Sequence, residues 1–226
     1  PSIIRRIFCT LALPKATFHL NNRRLLNGIF AYLGMERSDD ALRAIDKLPK
    51  IGEEAVRALL SEAGVTTEAC DALFSLLCVR GNADVIQALR NFSEDQQKKA
   101  PNEDAKTRFE EGFYEFVRVY ELMQAFDIPE EEIALDLSIT RGLDYYTGTV
   151  FETFLTGYES IGSVCSGGRY DNLASNFTKE HLPGIGVSIG LTRLFYQLQT
   201  AGLLQEASGD YLQALVIPMG EEDLVR

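Results

Sequence analysis

The segment Asp136–Thr153, DLSITRGLDYYTGTVFET, is the stretch from which the fold of the chain is best read. Leu135, Leu137 and Ile139 alternate with Asp136, Ser138 and Thr140, which predicts a half-buried strand over Ile133–Thr140. That strand hands over to Arg141-Gly142, then to the adjacent phenols Tyr145 and Tyr146, then to Thr147-Gly148. A second β-like run follows at Thr149–Leu155. A strand end carrying an arginine, an acid (Asp144) and two tyrosines is costly to bury for core packing alone. A guanidinium inside a protein costs several kcal/mol unless it is paired or held for a ligand. The segment therefore reads as one whose arginine is either paired or held for a ligand, with the rest of the chain as its support or partner.

Downstream, two more constellations follow on β-rich sequence. In SVCSGGRYDNL (Ser163–Leu173), a strand is expected at Ser163–Ser166, and Gly167-Gly168 permits a close backbone approach. In GIGVSIGLTRLF (Gly184–Phe195), a strand at Gly186–Ile189 runs into a helix, Leu191–Thr200, with Gly190 at the junction and Arg193 on the first turn. A helix N-terminus favours anions. Gln205–Asp210 reads as a linker, and LQALVIPMG (Leu212–Gly220) as the first strand of a further domain.

Upstream, Ser2–Leu13 has helical spacing ended by Pro14, and Ala16–Leu20 is a short strand in which Phe18 and His19 take opposite faces. Asn21-Asn22 is expected to turn the chain and cap a helix over Arg23–Leu33, with Leu25, Leu26, Ile29 and Phe30 in one apolar stripe. From Met35 to Phe126 the pattern is helical. Helices are predicted from Ser38 to Pro49, after Gly52, from a cap at Thr67, and over Asp84–Phe92. The polar run Ser93–Asp104 is read as a break before a longer helix bearing Phe109, Phe113, Phe116 and Tyr120, an aromatic stripe suited to packing.

The 226 residues are 46% hydrophobic, enough for one good core or two modest ones. The formal charge of −11 argues against non-specific binding to nucleic acid or anionic membranes. Most of it lies between Glu36 and Glu132, where 12 basic residues face 22 acidic ones. Cys9, Cys70, Cys78 and Cys165 are far apart, and His19 and His181 are the only histidines, so no zinc site or disulfide scaffold is expected. No apolar run reaches the roughly 18 residues of a membrane span. A cytoplasmic protein with reduced thiols fits best.

RGLDYYTGTVFE, CSGGRYD and GIGVSIGLTRLFYQL resemble the histidine-specific segments and third class motif of the histidyl-tRNA synthetases, and NNRRLLNG (Asn21–Gly28) a segment following their second class motif. The resemblance implies an α+β class II core, an antiparallel sheet flanked by helices, with an all-helical insertion domain. It divides the chain into core (1–35), insertion (36–128), core (129–204), and a linker with the first strand of an anticodon-binding domain (205–226). It implies ATP with Mg2+, histidine and tRNA(His) as ligands, no protein-bound metal, and a homodimer. Arg141 would be the catalytic arginine, at the ATP α-phosphate and the histidine carboxylate. Tyr145, Tyr146, Ser166, Gly167, Gly168 and Tyr170 would form the histidine pocket, while Gly190 and Arg193 would hold ATP. Asp144, Arg169 and Asp171 are read as structural or as supports for the residues that touch the ligands. Arg43, Lys47, Lys50, Lys98 and Lys99 are the few basic candidates for tRNA contact in an acidic segment. The first two class motifs would lie upstream of Pro1, so the 226 residues alone are expected not to activate histidine. A non-catalytic relative, the histidine-sensing regulatory subunit of ATP phosphoribosyltransferase, shares much of this pattern and is the alternative.

Overall fold

The computed structural model describes residues 1–35, 38–99, 102–142 and 145–204. The expected linker and strand at 205–226, and Asp144, lie outside the described residues. Pro1–Leu191 form one compact unit, and a second begins at Thr192.

The first unit is built on a five-stranded sheet. Its strands are β1 (Ala16–Asn22), β2 (Ile133–Leu135), β3 (Thr149–Leu155), β4 (Cys165–Tyr170) and β5 (Gly184–Ile189), in the order β2-β1-β3-β4-β5. All neighbours are antiparallel except β1 and β2, which run parallel. A parallel pair needs a long crossover, and the helices between residues 23 and 125 supply it. These are α2 (Arg23–Tyr32), α3 (Ser38–Asp46), α4 (Leu48–Glu62), α5 (Thr67–Leu77), α6 (Asn82–Lys99) and α7 (Glu103–Ala125), with α1 (Ser2–Thr10) preceding β1.

Period-2 alternation sorts β1 cleanly. Phe18 and Leu20 are fully buried on one face, while Thr17, His19 and Asn21 take the other. Register carries that second face across the sheet: His19 opposes Glu152, which opposes Ser166, which opposes Ser188. The helical layer rests on the crossing of α2 and α7, where two glycines let the backbones meet. A Cβ on Gly28 would lie 2.6 Å from the backbone nitrogen of Phe109, and one on Gly112 would run into the backbone of Leu25. The expected aromatic stripe packs there as well, with Phe109 stacked on Phe113 and edge-on to Tyr32.

Several boundaries differ from the sequence reading. The Ile133–Thr140 strand is paired only to Leu135; Asp136 then folds back, its carboxylate accepting from Ser138 N and Oγ. Conversely, Gly167-Gly168 lie inside β4 rather than beyond it. Asn21-Asn22 end β1 instead of turning the chain, though Asn22 does cap α2 by accepting from Leu25 N. Thr66, not Thr67, caps α5. The polar run after Phe92 continues α6 to Lys99, because Gln, Glu and Lys are good helix formers and terminal lysines suit the dipole. Gly52, at φ +79°, interrupts α4 where the helix was expected to restart.

Candidate functional site

Arg141 emerges where β2's continuation crosses the end of β1. The fully buried Asn21 amide donates to the carbonyls of Leu137 (3.0 Å) and Ile139 (2.6 Å), clasping the backbone that leads to Arg141. The arginine Nε donates to Glu152 Oε1 at 2.7 Å. Beside this pair lies a cleft of about 140 Å³, lined by His19, Asp136, Ser138, Thr140, Glu152 and Phe154, with Asp46 and Pro49 also at its wall. His19 Nδ1 lies 3.0 Å from Asp136 Oδ2, and the imidazole ring meets Phe154 edge-on. Burial works to raise the Asp136 carboxyl, but hydrogen bonds from His19 and Ser138 outweigh it and hold it below the ordinary carboxylate range.

The tyrosines lie on the same face, over the glycine-rich strands. Gly142 takes φ +66°, and its carbonyl accepts from both Tyr145 N and Tyr146 N. Tyr146 stacks at a tilt on Tyr145, with centroids 4.4 Å apart. A Cβ on Gly168 would sit 2.8 Å from the Tyr146 ring, and one on Gly142 would penetrate it. Tyr170 likewise lies over Gly184 and Gly186. Side-chain-free positions at 168, 184 and 186 thus let two aromatic rings lie on the sheet. The close approach the glycines permit is made first by the chain's own rings. At Gly167, on the opposite face, it is made by Phe151 and the Gly186 carbonyl. Burial, the neighbouring Tyr145, and more distantly Tyr170 and Cys165 push the Tyr146 phenol up to about 12. Its hydroxyl is therefore protonated at neutral pH, offering both a donor and an acceptor.

The end of the tyrosine loop is tied down by Asp171. This buried carboxylate accepts from Thr147 Oγ1 (2.7 Å), Arg169 Nε (2.9 Å) and Arg24 Nη2 (2.9 Å). Arg24 Nη1 also donates to Glu115 of α7, whose other oxygen accepts from Asn22 Nδ2. Arg169 and Asp171 are thus joined to the end of the loop by hydrogen bonds.

Ser166 occupies the same face between Glu152 and Ser188. Gly190 N donates to Val164 O just after β5. Arg193 stands on the first turn of α8 (Leu191–Thr200), in the second unit. Among the basic tRNA candidates, Arg43 lies near Asp40 on α3, Lys47 and Lys50 flank the start of α4, and Lys98-Lys99 close α6. No group of three or more His, Cys, Asp or Glu residues placed to hold a metal occurs among the described residues. None of their helices is long and apolar enough to cross a membrane.

A family model described as histidyl-tRNA synthetase matches residues 2–194. The chain belongs to the histidyl-tRNA synthetase family. The histidine--tRNA ligase of Clostridium tetani is 45% identical over 223 residues, which cover 98% of this chain and 48% of that protein. That of Finegoldia magna is 44% identical over 211 residues, 93% of this chain and 46% of that protein. The crystal structure of histidyl-tRNA synthetase from Nostoc sp. PCC 7120 superposes with a TM-score of 0.82 at 36% identity, covering 91% of this chain and 47% of that one. The chain spans about half the length of the curated relatives it matches.

The candidate segments of this synthetase-family chain are conspicuous in sequence because arginines, phenols and glycines cluster there. Asn21, His19, Asp136 and Glu152 were not singled out. In sequence Asn21 reads as a turn residue and the other three as ordinary strand residues, and the register that sets His19 beside Glu152 exists only in the folded sheet.

Proposed function

We propose that this chain supplies the histidine-recognising half of a histidine--tRNA ligase catalytic core. The parent enzyme joins histidine to ATP, giving histidyl-adenylate and pyrophosphate, and passes the histidyl group to the terminal ribose of tRNA(His). The observation that carries the reading is the Arg141 guanidinium, anchored through Nε alone beside a cleft and at the head of the tyrosine loop. Its two terminal nitrogens make no hydrogen bond among the described residues. A fork so presented suits a carboxylate or phosphate. As a histidine carboxylate oxygen attacks the α-phosphorus, negative charge builds on the non-bridging oxygens, and a fixed guanidinium stabilises it.

Tyr145 and Tyr146, with Ser166, Gly168 and Tyr170, form the imidazole pocket in this reading, while Gly167, expected there from sequence, faces Phe151 on the other side of the sheet and is left out of it. The protonated Tyr146 hydroxyl can pair with a ring nitrogen, and an analogue lacking that nitrogen leaves it unpaired. Gly190 and Arg193 serve the ATP phosphates, with Mg2+ entering as the nucleotide's counterion rather than on a protein cluster. Residues 1–35 and 129–204 belong to the core. Residues 36–128 form a helical insertion facing tRNA, and 205–226 open an anticodon-binding domain. A cytoplasmic homodimer is the setting we assign to the parent.

A fold match at 22% identity, to a Bacillus halodurans protein described as an ATP phosphoribosyltransferase regulatory subunit/histidyl-tRNA synthetase, speaks to fold alone. The higher identity to ligases supports the catalytic reading over the histidine-sensing one. The test is histidine-dependent ATP–pyrophosphate exchange by the complete polypeptide carrying this sequence. Exchange is expected there and not from the 226 residues alone. Arg141→Ala should reduce exchange by about 100-fold or more while calorimetry still shows histidine binding. A fully active variant overturns the role of Arg141, and exchange by the isolated chain overturns the half-site reading.

A further inference from the structure

Glu152 sits on β3, directly between His19 of β1 and Ser166 of β4, and is only 7% exposed. A carboxylate in the middle of a sheet is costly to keep charged without strong partners. Its hydrogen-bond partner is Arg141 Nε, on a side chain that is 52% exposed. Pairing with a half-hydrated arginine returns little net stability, so a β-branched apolar residue would serve the strand better. What the pair supplies is geometry. A bond to Nε restricts rotation of the guanidinium plane and leaves both terminal nitrogens without a hydrogen bond among the described residues. The Asn21 clasp on Leu137 and Ile139 fixes the backbone from which that side chain departs.

From this we propose that Glu152 is a positioning residue: it sets the plane of the Arg141 fork so that both terminal nitrogens meet one developing anionic group. The inference rests on the role given to Arg141 above. Glu152 touches no reacting atom itself, so its loss is felt in the chemical step and not in histidine affinity.

A double-mutant cycle in the complete polypeptide tests it, with Glu152→Gln, Arg141→Ala and the double variant compared by histidine-dependent exchange. Glu152→Gln is expected to lower kcat about 100-fold, the cost of a misplaced catalytic group, with KM for histidine nearly unchanged. In the Arg141→Ala background the same change should cost less than about 2-fold, because two residues acting as one unit are not additive. If Glu152→Gln does not fold, Glu152→Asp is read instead, since it withdraws the carboxylate while keeping its charge and should give the same kcat-only loss. Equal losses in both backgrounds, or a raised KM with kcat intact, assign Glu152 a structural role and overturn the inference alone. A wild-type protein without exchange overturns the reading of Arg141 and this inference with it.

Discussion

A Cβ at Gly142 or Gly168 would meet the ring of Tyr146, so the ring's place depends on two missing methyl groups as much as on its own contacts. The same confinement raises the phenol to about 12, with burial as the leading cause. Tyr120 reaches a similar value with the same leading cause, burial, reinforced here by donation of its hydroxyl to the Glu130 carboxylate. Among the described residues two late-titrating phenols are therefore expected in an absorbance titration, and Tyr146→Phe should remove one of them. The sign of the linked stability follows. The folded value lies above the ordinary phenol value of about 10, so the contribution is whole below pH 10 and is lost as pH rises towards 12. On the proposed function, the same variant of the complete polypeptide should lower kcat/KM for histidine by about 10-fold or more, through loss of the hydroxyl's hydrogen bond. A titration with both late phenols intact in Tyr146→Phe would refute the packing argument.

At the scale of elements, the apolar stripes of α2 and α7 were legible from spacing, but not that these two helices pair. The overlooked signal was glycine inside strong helical patterns, at Gly28 and Gly112. Such a residue costs about 1 kcal/mol of helix propensity unless close packing returns it. Here it does, because each glycine faces the partner helix's backbone. Gly112→Ala should therefore destabilise the fold by roughly 3 kcal/mol, the upper range for overpacking, despite alanine's better propensity. Urea unfolding that finds the variant as stable as the parent would show that the helices do not cross this closely. The extension of α6 through Lys99 was hidden for the opposite reason: a polar composition reads as loop, while its members are good helix formers. Asn82, first residue of α6, escaped notice too. Its amide accepts from Leu135 N and donates to Ile133 O, satisfying polar groups along β2's outer edge.

Across the whole molecule, local periodicity exposed the strands but not their order. The placement of β1 between β2 and β3 depends on a crossover of about a hundred residues, which no local pattern encodes. Long-range order is held in part by carboxylates, one buried and one half-buried, that look unremarkable in sequence. Asp171 joins the tyrosine loop, β4 and α2, and Asp136 joins β1 to the segment before Arg141. Burial alone would raise the Asp171 carboxyl; donors from Thr147, Arg169 and Arg24 reverse it and hold it low. A lowered folded value means that the stabilisation is present above the unfolded carboxyl value of about 3.9 and disappears as pH falls through the folded one. The net charge of −11 adds a broad acid response of its own, since protonation relieves self-repulsion across the surface. A difference between two variants cancels most of that background. Asp171→Asn should cost about 2 kcal/mol at pH 7, where it replaces a charged acceptor by a neutral amide facing two arginines. The gap should hold down to about pH 4 and then close as the parent's own Asp171 is protonated. Urea unfolding at pH 7, 4 and 3 measures it. A gap that stays constant to pH 3 would mean that Asp171 is not the carboxylate holding the loop to the sheet.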